Sequence, residues 1–248
     1  MSKTTPIKFN DKPDHISEYL THWTGRAKTQ DEAFAILKKI IETAQLKFSY
    51  NLVSFPDNKS MTSNLMVCFT DTPIKYAKEH CKKYGYFGIS FNKNKLIGCG
   101  ANPVLYLMDN RREYQSYFLN FLMNSTTELN NEKKILVNWF ASAGQPYNTK
   151  PYDINHFPEY FEREWRIAGR VFPYLWIESD EKYRGKYNEY EFDGEMQRQL
   201  TGNDEDFFLK FDEDIIENII VPESFHLQAE QFLAEQKINS ELILLTSQ

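Results

Sequence analysis

Between Phe161 and Ile167 the chain reads Phe-Glu-Arg-Glu-Trp-Arg-Ile, and few short stretches constrain the fold so closely. Successive side chains of an extended strand point to opposite faces. Glu162, Glu164 and Arg166 therefore share one face, and Phe161, Arg163, Trp165 and Ile167 the other. The pattern predicts a strand anchored in a core by Trp165 and Ile167, with two carboxylates presented opposite. Paired carboxylates can stabilise a developing cationic sugar carbon and hold its neighbouring hydroxyl, the task set by breaking a glycosidic bond. The same pattern also fits a solvated face on an edge strand.

Two further segments carry candidate chemistry. Tyr19-Leu20-Thr21-His22-Trp23-Thr24-Gly25 reads as a short strand, followed by an amphipathic helix over Ala33 to Ile41. A His at a strand end with a hydroxyl two residues on offers two hydrogen-bond partners to a ribose. Leu65 to Thr70 reads as an apolar strand running into a helix, with Asp71 or Thr72 placed to cap it and Pro73 suited to its first turn. The strand Tyr86–Phe91 follows.

Along the rest of the chain, residues 1–18 form a polar lead-in, Leu46 to Ser49 a short strand, and Ser54 to Ser63 a polar loop. Val104 to Leu107 reads as a strand and Tyr114 to Met123 as a helix. Lys134 to Phe140 fits either. Ala143 to Tyr160 is expected to be a long ordered loop leading into the carboxylate strand. Residues 178–206 are strongly charged and read as an excursion. Residues 207–248 read as strand, helix and strand, with Pro222 stopping Ile215 to Val221. Strands and helices mix without regular βαβ alternation, so the expected class is α+β in one domain over residues 1–248.

Composition excludes several classes. Cys68, Cys81 and Cys99 are odd in number, form no Cys-x-x-Cys, and suit a reducing cytoplasm without structural zinc. No apolar run reaches the length of a membrane span, and the first residues lack a signal peptide's apolar core. A net charge of −6 disfavours broad nucleic-acid binding, although Lys75, Lys78 and Lys82 fall at helical spacing and form one basic stripe, either a local groove or a solvated face. No Gly-x-Gly-x-x-Gly is present, which disfavours a Rossmann dehydrogenase.

Taken in order, His22, the Cys68-Phe69-Thr70-Asp71 strand end and Glu164 resemble the three signature elements of the ADP-ribosyltransferase fold. The chain also resembles AbiGi-type abortive-infection proteins of phage defence through His22-Trp23-Thr24-Gly25, Cys68 to Asp71, Tyr84 to Phe91, Gly100 to Val104 and Glu162 to Arg166, over roughly residues 19 to 222. The resemblance implies an ADP-ribosyltransferase-like mixed or split sheet with flanking helices, and a cytoplasmic NAD-dependent toxin of a toxin–antitoxin-like system. NAD would be the donor substrate, a macromolecule the acceptor (RNA ahead of protein), and an antitoxin protein a possible partner.

The implied roles are specific. Glu164, facing an open cleft, would hold the ribose 2′-hydroxyl and stabilise the oxocarbenium-like state, and Glu162 would orient the acceptor. His22 would hold the adenosine ribose with help from Thr24. Phe69 would pack on nicotinamide, in competition with Tyr76 and Tyr84, while Thr70 braces the strand turn. Arg166 would pair with a carboxylate or a phosphate. The alternatives are a catalytically silent binding or antitoxin module of the same fold, and a NAD glycohydrolase.

Overall fold

The computed structural model describes residues 17–54, 61–108, 144–147, 162–169 and 208–246. The expected helix at Tyr114 to Met123, the ambiguous segment after Lys134 and the charged stretch 178–206 lie outside them.

The strand that organises the molecule is β5 (Phe87–Asn92), with Phe87, Ile89 and Phe91 at most 1 % exposed. Its neighbours come from far along the chain: β1 (Tyr19–Thr24) on one side and β11 (Ile216–Pro222) on the other, both antiparallel to it. The full order runs β12 (Glu241–Leu245), β11, β5, β1, β4 (Met61–Thr70), β9 (Glu164–Ala168), β6 (Asn102–Pro103), with β3 (Ser49–Ser54) also paired to β4. Among the described residues only the β11–β12 pair of this sheet is parallel. Two small sheets join β2 (Gln45–Lys47) to β10 (Phe208–Lys210) and β7 (Leu105–Met108) to β8 (Gly144–Tyr147). The architecture is α+β with a mainly antiparallel sheet, as the mixed pattern predicts.

Helix α1 (Gln30–Thr43) starts where Thr29 and Glu32 form a reciprocal capping box. Its Ala33, Phe34, Leu37 and Ile41 recur at helical spacing and are buried against the sheet. Helix α4 (His226–Gln236) buries Ala229, Phe232 and Leu233 in the same core. Helix α2 (Lys78–Tyr84) lies over the other face, where Ala77 and Cys81 pack with Trp23 and Ile220. Gly85 ends α2 at φ +108°, and a Cβ there would sit 2.4 Å from the Thr24 carbonyl oxygen, so only glycine fits. A further short helix, α3 (Lys93–Gly98), is capped by the Asn92 side chain.

Several expected details differ. Neither Asp71 nor Thr72 caps α2; a 3-10 turn over Ile74–Tyr76 intervenes, and α2 begins after Ala77 with no side-chain cap. Asp71 instead meets Arg163 Nε at 2.6 Å and Lys93 Nζ at 3.1 Å. Met61 to Ser63 belongs to β4 and not to a loop, and Gly144 to Tyr147 forms β8 inside the expected long loop.

Candidate functional site

The end of β4, helix α2 and the start of β9 converge on one group of polar side chains. Arg163 adopts φ +47°, a conformation that a non-glycine residue holds only under outside support. That support is on hand. The Thr70 hydroxyl donates to the Glu162 carbonyl at 2.5 Å, and His80 Nε2 lies 3.1 Å from the same oxygen. The Asp71 N–H donates to the Arg163 carbonyl at 3.2 Å. The left-handed residue ends the expected alternation: Glu162 stands before β9, which starts only at Glu164.

Both candidate carboxylates are engaged within the protein. Glu162, 5 % exposed, accepts the Tyr84 hydroxyl at 2.7 Å and receives the Lys83 ammonium. Glu164 receives Arg166 Nε at 2.9 Å and Nη2 at 2.8 Å, and its N–H donates to the Tyr106 hydroxyl at 3.2 Å. Register explains the grouping. Thr70 pairs with Glu164 and Cys68 with Arg166 across β4 and β9, so these four share a face.

The surroundings keep the other groups protonated. Burial, followed by the charge of Glu162, raises the Tyr84 hydroxyl, and burial raises Tyr106. Burial and then the Glu164 carboxylate hold the Cys68 thiol well above its ordinary value, so it is no thiolate nucleophile. Burial alone would lower Arg166, but its hydrogen bonds and charge contact with Glu164 prevail and raise it. The result is two adjacent carboxylates, each matched by its own cation and with a phenol beside it, in which Arg166 balances the Glu164 charge.

The other expected residues sit differently. Thr21 pairs with Thr70, so the alternation puts His22 on the opposite face, with Phe69. The two rings meet edge-on at 5.9 Å, and Phe69 also packs edge-on against Phe91 in the core. Thr24 ends β1 opposite Phe87. His22 has a structural task of its own. Strands β1 and β4 share a single pair, and β3 takes the same side of β4 from Met66 backward. At the junction His22 Nδ1 stands 2.9 Å from the Cys68 carbonyl, and since a carbonyl only accepts, Nδ1 carries the hydrogen. Burial lowers the His22 pKa, which keeps the ring neutral.

The structure therefore brings Glu162, Glu164 and Thr70 together, and His22 and Phe69 together, on opposite faces of one ladder. Lys83, Tyr84, His80 and Tyr106 complete the carboxylate group. Of these, Tyr84 carried a signal in the sequence, as a competitor for stacking on nicotinamide. Among the described residues no helix is long and apolar enough to cross a membrane.

No curated protein and no solved structure matches the chain. A family model described as "Putative abortive phage resistance protein AbiGi, antitoxin" matches residues 36–222. That span is most of the 248 residues and contains α2, β4, β5, β9 and β11, the frame around the carboxylate group. The chain belongs to the AbiGi family of abortive phage resistance proteins.

Proposed function

We propose that this chain is the antitoxin-type component of an abortive-infection system, acting in the cytoplasm by binding a partner protein, with its carboxylate network serving structure. The observation that carries the reading is the two-bond pairing of Glu164 with Arg166, which neutralises the negative charge that transfer chemistry would need to stabilise a developing cation. The family description as an antitoxin supports it. The test has two arms. Purified chain incubated with labelled NAD and lysate should modify no macromolecule and release no ADP-ribose. Expression beside its neighbouring genes should restore growth where one of those genes alone arrests it. Label transfer, or failure to restore growth, overturns the reading.

A second reading is an NAD-dependent ADP-ribosyltransferase toxin. It is favoured by the divergence of β1 from β4 beside His22, which breaks the backbone ladder between the two signature strands. Under it Glu164 parts from Arg166 to hold the ribose 2′-hydroxyl, and Glu162 orients an RNA or protein acceptor. Labelled acceptor lost to nuclease or to protease would identify which. Free ADP-ribose alone would mark a glycohydrolase.

A further inference from the structure

We propose that the groove between α1 and α4 is the partner-binding surface, and that it takes a basic amphipathic helix of a partner protein. The proposal rests on the antitoxin reading above and names the surface and the chemistry of the partner.

The two helices lie side by side over the same core. Phe34 of α1 meets Phe225, which precedes α4, with ring centroids 5.2 Å apart. Lys38, one turn further along α1, reaches Phe232, further along α4, so the helices run in the same direction. Between them is a groove of about 430 Å³. Asp31, Ala35 and Lys38 line it from α1, and Gln228, Gln231 and Glu235 from α4. On each helix these residues fall three, four or seven positions apart, the spacing of a single face. All but Lys38 are exposed. Leu227 stands beside the same face, four residues before Gln231, and is 77 % exposed. A channel between two helices, with an exposed leucine on its rim, is the geometry that receives a third helix.

Charge identifies the occupant. The two helices carry Asp31, Glu32, Glu42, Glu230 and Glu235 against Lys38 and Lys39 alone. Lys38 is turned onto the groove floor, its ammonium 5.2 Å from the centroid of the Phe34 ring and 6.0 Å from that of Phe232. Among the described residues it forms no ion pair with Asp31 or Glu235, and Glu235 accepts the Gln231 amide at 2.9 Å. The parallel run of the helices sets Asp31 toward one end of the groove and Glu235 toward the other. A partner helix would lay apolar residues over Ala35, the Lys38 stem and Leu227. It would place a lysine or arginine at each end, about two turns apart, to meet Asp31 and Glu235. Nucleic acid and anionic membrane are repelled by such a face, and a second copy would set carboxylates against carboxylates.

The test uses the full chain and a fluorescein-labelled amphipathic peptide of about 20 residues of Leu, Ala and Arg, long enough to form a helix, followed by anisotropy. Its counterpart with Glu in place of Arg should bind at least about tenfold more weakly. Asp31→Asn with Glu235→Lys, both at exposed positions, should weaken the basic peptide by about tenfold or more and leave thermal melting unchanged. Leu227→Ser should weaken it as well. Asp212→Asn with Glu213→Lys, exposed carboxylates outside the groove, should leave binding as it is. No binding of the basic peptide, or an equal loss in the Asp212 and Glu213 variant, would overturn the proposal. So would preference for an RNA oligonucleotide, or a dimer of the chain that Glu235→Lys dissociates. Growth rescue by the Asp31 and Glu235 variant separates the two readings. Rescue that survives loss of peptide binding overturns the groove and leaves the antitoxin role standing. Peptide binding by a wild-type chain that rescues nothing overturns the antitoxin role.

Discussion

Glu164 and Arg166, two residues apart on β9, close on each other through bonds of 2.9 and 2.8 Å with side chains 11 % and 6 % exposed. The expected open-cleft carboxylate is instead half of a nearly buried ion pair. Burying both charges costs desolvation that their attraction offsets, so the pair adds little net stability. Removing one partner strands the other.

Glu164→Gln should therefore destabilise the fold, by about 3 kcal/mol, because Arg166 keeps its charge and loses its counter-ion. The double variant Glu164→Gln, Arg166→Met should recover a large part of that loss. Urea midpoints of the wild type and both variants check this. A single variant as stable as wild type would show the pair to be dispensable.

Tyr84→Phe removes the hydroxyl that Glu162 accepts at 2.7 Å and leaves Lys83 as its remaining side-chain partner in the network. A hydrogen bond to a charged group at such a site contributes about 2 kcal/mol, and a loss of that order is expected in chemical denaturation. Thr70→Val, which deletes the hydroxyl on the Glu162 carbonyl, should add a further loss when combined with it.

Mild acid should weaken the protein through its buried histidines. Burial lowers the pKa of both His22 and His80 from 6.5, so below that value the unfolded chain binds protons that the folded chain refuses. Stability is then full above the unfolded value and falls as pH drops through 6.5 toward the lowered folded values. The urea midpoint should be lower at pH 5.5 than at pH 7.5, and His80→Gln should flatten that slope. An unchanged midpoint in the wild type would refute the argument.

Gly85→Ala should cost more than an ordinary surface substitution, roughly 1–3 kcal/mol, since it combines a φ of +108° with a Cβ 2.4 Å from the Thr24 carbonyl oxygen. Thermal melting reads it directly, and a shift within error would mean that the α2 exit can rearrange.

Much of the fold was legible because local periodicity reports burial. The spacing of Ala33, Phe34, Leu37 and Ile41 marks α1, and the apolar runs of β5, β11 and β12 mark the sheet. The candidate site was legible only in part. Alternation placed Glu162 and Glu164 on one strand face, but it assumes unbroken extended backbone, and nothing local announces that Arg163 turns left-handed. Thr70, His80 and Asp71 impose that turn from distant positions. Likewise, whether His22 shares a face with Glu164 depends on the single Thr21–Thr70 register pair, between residues far apart in the chain, which no local pattern encodes.

The position of β1 has a consequence for how the chain reaches its native state. The family match begins at residue 36, yet β1 lies between β5 and β4, in the middle of the sheet. It leaves the ribosome before either neighbour exists and must wait for segments more than 40 residues downstream. Until it inserts, β4 with β9 and β5 with β11 are two separate half-sheets, each with a raw inner edge. Such long-range closure slows folding, because loop entropy is lost before any contact compensates for it. A fragment trimmed to the family's limits would be left at that stage, with an empty slot where β1 belongs.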